Sequence, residues 1–188
     1  MKCCPECGHV IEETFKPVNP FTNDDFVFIK YKESDLNILK LFTLIHPVTA
    51  DQYEAVMEKS PVEIPLALCP PMGCQTMSDV SWEDAKEFCR ILNNITPCSE
   101  VYRLPFEAEW EDTCICWFDV HDMHGNRVWD DNWIWEWCED SDSVFPNKRV
   151  IKGGDFTLGY PERCFAKRSA LLSARRSNIG FRVMREIL

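Results

Sequence analysis

The residues best suited to chemistry in this sequence are its 11 cysteines, two of which have metal-ligand spacing. Cys4 and Cys7 stand two residues apart, and Gly8 follows them. Two thiolates at this spacing can grip one tetrahedral zinc ion, and the glycine permits the tight turn that such a site needs. A closed structural site takes four ligands, and this segment supplies one pair. The alternatives are a zinc site completed by ligands from elsewhere and a thiol-bearing tail without metal.

Size and charge limit the classes of protein to which the chain can belong. Its 188 residues suit one domain, and 45% hydrophobic residues allow a sizeable core. The formal charge of −11 argues against nucleic acid as a partner, because phosphate binding needs a basic surface. We therefore expect a globular domain that does not bind nucleic acid.

The sequence also bears on location. No apolar run serves as a signal peptide, and none approaches the ~20 residues that span a bilayer. We expect no membrane insertion and a cytoplasmic or virion-associated chain. Thiols stay reduced in such a compartment, so we expect cysteines that are buried or metal-bound rather than paired in disulfides.

The predicted domain organisation has two parts. Residues 1–23 form a cysteine-containing tail or partial zinc knuckle with a linker, since residues 16–24 are rich in Pro and Asn. Residues 24–188 form a single domain. Short strands are predicted at 26–29, 39–45, 149–154 and 178–184.

The helices have clear start signals. Thr49 with Gln52 and Ser81 with Asp84 are capping pairs, in which a hydroxyl residue precedes a carboxylate or amide by three positions. After Ser81, a core-facing stripe at i, i+3, i+4 and i+7 comprises Ala85, Phe88, Cys89 and Leu92. A short acidic helix is predicted at 106–112. Short strands, two main helices and long loops indicate the α+β class.

These segments, in this order, resemble the formylglycine-generating enzyme (sulfatase-modifying factor) family, a branch of the C-type lectin fold. The resemblance covers roughly residues 26–188. Its seven co-linear motifs lie at 47–53, 80–85, 103–111, 122–126, 135–137, 149–154 and 180–182. It implies a C-type lectin fold.

The activity of the family depends on two active-site cysteines that hold copper, five residues apart after the Gly-Gly corner. In one alignment they fall on Gly159 and Cys164, and in another on Tyr160 and Phe165. Neither alignment supplies both thiols, and Cu(I) favours soft sulfur ligands. The resemblance therefore implies the fold without the sulfatase-cysteine oxidase.

The family often holds calcium with an asparagine and the glutamate of its Trp-Glu-Trp motif. Here Asn126 and Glu136 match those ligands, with residues 127–134 inserted between them. Both supply the hard oxygen that calcium accepts. The alternatives are a calcium site and a solvated acidic loop.

Family members without the catalytic pair include the variable proteins of diversity-generating retroelements, which display a variable C-terminal face. This chain is similar, with Gly153-Gly154 followed by a stretch of mixed residue types and then Gly180-Phe181. Such a mixture has no core period and is typical of a binding surface. The candidate ligand-binding residues are Phe156, Leu158, Tyr160, Cys164, Phe165, Lys167, Leu171, Leu172, Arg175 and Arg176.

Charge is distributed unevenly along the chain. Residues 148–188 contain ten Lys or Arg against three Asp or Glu, a net +7, which leaves −18 on residues 1–147. One interpretation is a basic face that steers an acidic protein ligand. The other is internal compensation, with Arg168 and Arg182 buried against acidic residues at 107–112 and 136–142.

The favoured hypothesis is a non-enzymatic protein that binds a protein or other macromolecule through its C-terminal face and requires no cofactor. One alternative is a formylglycine-generating-type oxidoreductase with an altered metal site. The other is a zinc-containing accessory or regulatory module that acts through Cys4 and Cys7.

Overall fold

The computed structural model describes residues 2–3, 10–11, 16–33, 38–58, 76–116, 134–154 and 162–187. The α-helices in these ranges are α1 (Ala50–Met57), α2 (Trp82–Ile95), α3 (Glu107–Cys116) and the single turn α4 (Glu162–Phe165), and Asn23–Asp25 form a 3-10 turn. The strands are β1 (Lys2–Cys3), β2 (Val10–Ile11), β3 (Phe26–Glu33), β4 (Ile38–Leu44), β5 (Glu100–Arg103), β6 (Trp135–Ser141), β7 (Lys148–Gly153), β8 (Lys167–Leu171), β9 (Ile179–Gly180) and β10 (Met184–Ile187).

The main strands form two four-stranded sheets. One has the order β3-β4-β10-β5 and is antiparallel throughout. The other has the order β8-β7-β6-β9, in which only the short pairing of β6 with β9 is parallel. β1 and β2 pair separately. This mixed architecture confirms the predicted α+β class, with α3 as a third substantial helix.

Both predicted capping pairs start a helix. The Thr49 hydroxyl accepts from the Gln52 amide, and the Gln52 side chain accepts from the Thr49 amide. Ser81 does the same with Asp84 at the start of α2. The apolar stripe of α2 is buried as predicted, so this helix packs its periodic face on the core.

Aromatic rings occupy the centre of the core. Phe88 of α2 stacks on Tyr53 of α1, with ring centroids 5.6 Å apart, and meets Phe181 edge-on at 5.3 Å. Such pairs contribute about 0.5–1.5 kcal/mol each beyond the area they bury. Phe21, which the sequence places in the linker, also packs in this core and stacks on Tyr102. The packing of the domain thus begins before residue 24.

The C-terminal segment joins the two sheets. The sequence predicts one strand at 178–184, which is wrong, because the chain leaves β9 after Gly180 and enters β10 at Met184. β9 lies beside β6, whereas β10 lies between β4 and β5. The residues between them, Phe181 to Val183, are buried without strand pairing. Because Phe181 and Val183 are buried and apolar like the residues of a strand, the sequence alone suggests one continuous strand.

The corner after β7 requires glycine. Gly153 and Gly154 have φ values of +79° and +64°, in the left-handed region that side chains disfavour. A Cβ at Gly154 would lie 2.4 Å from Cγ of Trp135. The corner therefore turns directly over the Trp135 ring, at the point where the candidate face begins.

Candidate functional site

Two described residues of the candidate face, Lys167 and Leu171, lie on β8, and the others flank this strand. It forms one edge of its sheet, paired with β7. Phe165, just before the strand, is 56% exposed, and Leu171, its last residue, is 47% exposed. Lys167, Arg175 and Arg176 are exposed, while Leu172 is half-buried. Five residues at about 3.3 Å each span roughly 13 Å from the first Cα to the last, so the face has two separate ends.

The first end of β8 lies against α3. The Lys167 ammonium donates to the Glu107 carboxylate at 2.5 Å, which raises the pKa of this lysine. Glu107 also lies 3.7 Å from the ammonium of Lys152, a fully buried side chain whose closer partner is Glu111 at 2.7 Å. Two carboxylates of α3 thereby compensate the buried charge of Lys152.

A disulfide joins this end of the face to α3. Cys164 of α4 is bonded to Cys114, with Cα atoms 5.8 Å apart, and is 1% exposed. Two predictions are therefore wrong: Cys164 does not present a side chain to a ligand, and the cysteines are not all reduced or metal-bound. The packing of α3 beside α4 brings together two thiols that are 50 residues apart in the chain.

The other described cysteines include two inert thiols. Burial raises the pKa of Cys89 to about 12. Burial also raises the pKa of the Cys138 thiol well above its ordinary value, and Glu136 adds to this effect. Thiols that stay protonated are poor nucleophiles and poor metal ligands. The prediction that Cys89 acts as a small core residue is confirmed.

The second end of β8 lies against the start of α2. The Trp82 amide donates to the Leu172 carbonyl at 3.0 Å. Arg175 donates to Asp84 at 2.8 Å and to the Asp79 carbonyl at 3.4 Å. Backbone and side-chain bonds thus tie residues 172–175 to the helix and position the turn that follows β8.

Glu136 has structural partners rather than a free carboxylate. It accepts from the Arg182 guanidinium on both oxygens and from the Trp110 indole at 2.9 Å. Glu136 and Arg182 are each 3% exposed. The expectation that Glu136 holds calcium is corrected accordingly, because these donors occupy its two oxygens. Asn126, the other expected ligand, lies outside the described residues.

The basic residues of the C-terminal segment are partly buried and partly exposed. Arg182 is compensated internally by Glu136, and Lys152 by α3. Arg168, in contrast, is exposed on β8, with its guanidinium 4.8 Å from the centre of the Trp135 ring. Internal compensation therefore applies to the buried cations. Lys167 and Arg175 lie at the surface in ion pairs with Glu107 and Asp84, and Arg168 and Arg176 are also exposed.

Several predicted residues lie outside the described ranges. They are Cys4, Cys7, Asn126, Phe156, Leu158 and Tyr160. Among the described residues, no group of three or more His, Cys, Asp or Glu is arranged to hold a metal ion. No helix in the same part of the chain is long and apolar enough to cross a membrane.

The sequence does not single out Cys114 as the partner of Cys164. Eleven cysteines allow many pairings, and connectivity does not follow from spacing alone. The only sequence signal is the acidic helix predicted at 106–112, because α3 extends beyond it to Cys116 and includes Cys114. Extending that helix places Cys114 one turn beyond Trp110.

Comparison with known proteins identifies the fold. A family model described as a sulfatase-modifying factor enzyme 1-like domain matches residues 29–115 and 117–187. Comparison with curated protein sequences gives no match.

Three solved structures share the architecture. Treponema denticola variable protein 1 is 17% identical, with a TM-score of 0.54 over 85% of this chain and 92% of that one. PvdO from Pseudomonas aeruginosa is 18% identical, with a TM-score of 0.57 over 79% and 81%. CarF is 18% identical, with a TM-score of 0.55 over 87% and 97%. Identities this low establish a common fold alone. Together with the family model, they show that the chain belongs to the sulfatase-modifying factor (formylglycine-generating enzyme) family, with its C-type lectin fold.

Proposed function

We propose that this protein is a non-enzymatic ligand-binding protein that contacts a protein or other macromolecule through its C-terminal face. The described part of that face comprises Phe165, Lys167, Leu171, Leu172, Arg175 and Arg176. The observation that carries the proposal is the exposure of Phe165 and Leu171, 56% and 47%, at the ends of a strand whose inward residue Ala170 is in the core. Large apolar side chains held outward on a rigid element are typical anchors of an interface.

The scaffold beneath the face favours binding because it is already ordered. The disulfide and Lys167–Glu107 pair anchor one end of β8, and the bonds to α2 anchor the other. A surface that is ordered before binding loses less conformational entropy when its ligand docks. The solved structure of a variable protein with the same fold adds support by analogy.

The state of Cys164 disfavours the alternative oxidoreductase. In one alignment this residue takes the place of the second active-site cysteine, yet its sulfur is bonded to Cys114. A sulfur in a disulfide is not a thiolate, and the thiolate is the form that binds metal. The function proposed here therefore needs no redox cofactor.

A second part of the proposal concerns how the sequence of the face arises. We infer that the face is diversified by a retroelement of a phage or of a bacterial or archaeal virus. A reverse-transcriptase gene beside this one, with a near-copy of its 3′ end that differs at template adenines, is the expected observation. A neighbourhood without either would remove diversification from the proposal and leave ligand binding intact.

Zinc binding by Cys4 and Cys7 is proposed as a separate, accessory property. Their spacing suits two of four zinc ligands. Elemental analysis of the purified chain should find about one zinc per molecule, which is lost in the double variant Cys4→Ser/Cys7→Ser. A chain purified without zinc would end the accessory-module hypothesis.

A display experiment tests whether the face can bind. The positions Phe165, Lys167, Leu171, Arg175 and Arg176 are randomised together, and the library is selected against lysozyme and streptavidin as probe proteins. Substitution of the unpaired exposed positions should change stability by about 0.5 kcal/mol or less. Loss of the surface ion pairs of Lys167 and Arg175 should cost about 0–1 kcal/mol each, so most members should stay folded. Specific binders should be recovered for both probes.

A second library provides the matched control. It randomises exposed positions scattered over the rest of the domain, Val18, Phe28, Glu54, Val101 and Phe106. Because these positions form no common face, this library should give no binders. Equal yields from the two libraries, or widespread unfolding of the first, would contradict the proposal.

A further inference from the structure

Three exposed apolar side chains lie near the second end of β8. Val144 is 70% exposed, Phe145 51% and Leu171 47%. Val144 and Phe145 lie in the turn between β6 and β7, and Lys148, opposite Leu171 in the β7–β8 register, places its ammonium 4.3 Å from the centre of the Phe145 ring. The Leu172 amide donates to the Asn147 carbonyl at 3.4 Å, which ties the two turns together.

The β6–β7 turn is held rigidly. The Asp142 carboxylate accepts from the Val144 and Phe145 amides, each at 2.8 Å. A hydrogen bond from Ser169 joins this carboxylate to β8 and, as the largest cause, lowers the pKa of Asp142 to about 2. The two apolar side chains are thus presented in a fixed arrangement, which reduces the entropic cost of docking.

Two cations flank the apolar side chains. The Arg149 guanidinium lies 4.6 Å from the centre of the Trp82 ring, and its Nη1 donates to the Ser141 hydroxyl and to the Pro146 carbonyl. Within the part of the chain that the structure describes, neither Lys148 nor Arg149 forms an ion pair, and the buried Nε of Arg149 has no hydrogen-bond partner.

The neighbouring cations differ in this respect. Lys86, also over Trp82, is bonded to Glu139 at 2.9 Å, and Arg175 is bonded to Asp84. Lys86 and Arg175 are therefore neutralised by direct ion pairs. Lys148 has the longer-range attraction of Asp142, and Arg149 donates to uncharged oxygens. On a chain of net charge −11, these two cations make the apolar side chains a local site that favours an anionic partner.

We propose that the docking patch, composed of Trp82, Val144, Phe145, Lys148, Arg149 and Leu171, binds an acidic protein segment that carries an apolar anchor residue. The anchor packs on Phe145 and Leu171, and flanking carboxylates pair with Lys148 and Arg149. This inference rests on the proposed function, because Leu171 belongs to both surfaces, and it adds the chemical class of the partner. Repulsion by the acidic remainder of the chain restricts such a segment to the patch.

Selection from a random dodecapeptide phage library on the immobilised full-length chain tests this inference. Enriched peptides should contain a large apolar residue flanked by Asp or Glu. This pattern should be far more frequent among them than in the unselected library. A synthetic copy of the best peptide should bind Phe145→Ala about tenfold more weakly. Arg149→Gln should weaken binding by a similar factor and reduce its dependence on salt.

The control variant is Phe28→Ala, which truncates an exposed phenylalanine of the other sheet and should leave the peptide affinity unchanged. Enriched peptides without excess acid, no enriched peptide at all, or equal loss in Phe28→Ala and Phe145→Ala would overturn the inference. The inference would also be overturned if no peptide binds while the chain self-associates, or binds anionic vesicles, in a way that Phe145→Ala abolishes.

A further variant separates this inference from the proposed function. Phe165→Ala alters the first end of β8 and leaves the docking patch intact. Peptides that lose affinity for Phe165→Ala but not for Phe145→Ala would support the face and contradict the patch. The opposite pattern would support the patch and show that the first end of the face is not needed for this partner.

Discussion

Removal of the Cys114–Cys164 disulfide is expected to destabilise the domain by about 4 kcal/mol. The bond closes a loop across 50 residues. In the chain-entropy model, the denatured chain loses about 3 kcal/mol of conformational freedom for a 15-residue loop and about 4.7 for a 100-residue loop. The present loop falls between these values. For a domain of this size, such a loss corresponds to a decrease in Tm of roughly 8–16 °C.

Urea denaturation of the oxidised wild type and of Cys114→Ala/Cys164→Ala measures this difference. The variant should unfold at a lower urea concentration. Millimolar reductant should lower the urea midpoint of the wild type and leave that of the variant unchanged. Cys98→Ala removes an exposed free cysteine and should behave as wild type. A double variant as stable as the wild type, or one that reductant still destabilises, would refute the assignment of this disulfide.

Further outcomes follow from individual residues. Glu136→Gln removes the carboxylate that compensates the buried Arg182 charge, so unfolding by urea should require about 3–5 kcal/mol less free energy; an unchanged midpoint would contradict the structural role of this pair. Since the folded-state pKa of Asp142 is depressed from 3.8 to about 2, its stabilising contribution is present above pH ~4 and lost as the pH falls towards 2. Stability measured between pH 5 and 2 should therefore decline less in Asp142→Asn than in the wild type, and parallel profiles would argue against the bonds to this carboxylate. A peptide with the sequence Cys-x-Pro-x-Arg, incubated with the protein, copper and oxygen, should show no loss of thiol by mass spectrometry; oxidation above a protein-free control would restore the oxidoreductase alternative.

Local signals in the sequence predicted the elements that support the site. The capping pair Ser81–Asp84 and the periodic stripe of α2 are short-range features, so they can be read directly, and the structure confirms them. The family resemblance supplied the arrangement of these elements, because seven motifs in order specify a fold that no single motif specifies. The exposed Phe165 and Leu171 lie in the stretch that lacked a core period.

Features that depend on distant contacts were not predictable. Cys164 lies among surface-like residues in sequence, and only its contact with α3 shows that it is buried and bonded to Cys114. Glu136 has the oxygen chemistry of a calcium ligand, but Arg182, 46 residues away, occupies its carboxylate. Phe145 is an ordinary turn residue in the sequence, and only the register that pairs Lys148 with Leu171 shows that its turn lies next to the end of β8. Tertiary contacts, rather than local propensity, decide all three.

Site-specific photo-cross-linking tests the central claim most directly. A photoreactive phenylalanine analogue replaces Phe165 or Leu171 on the face, and Val101 of β5 serves as an exposed control in the other sheet. After irradiation of cells that express each variant, the two face positions should give the same discrete covalent adduct, and Val101 should give none. Adducts at Val101 alone, or an absence of adducts from both face positions, would contradict a ligand-binding role for the C-terminal face.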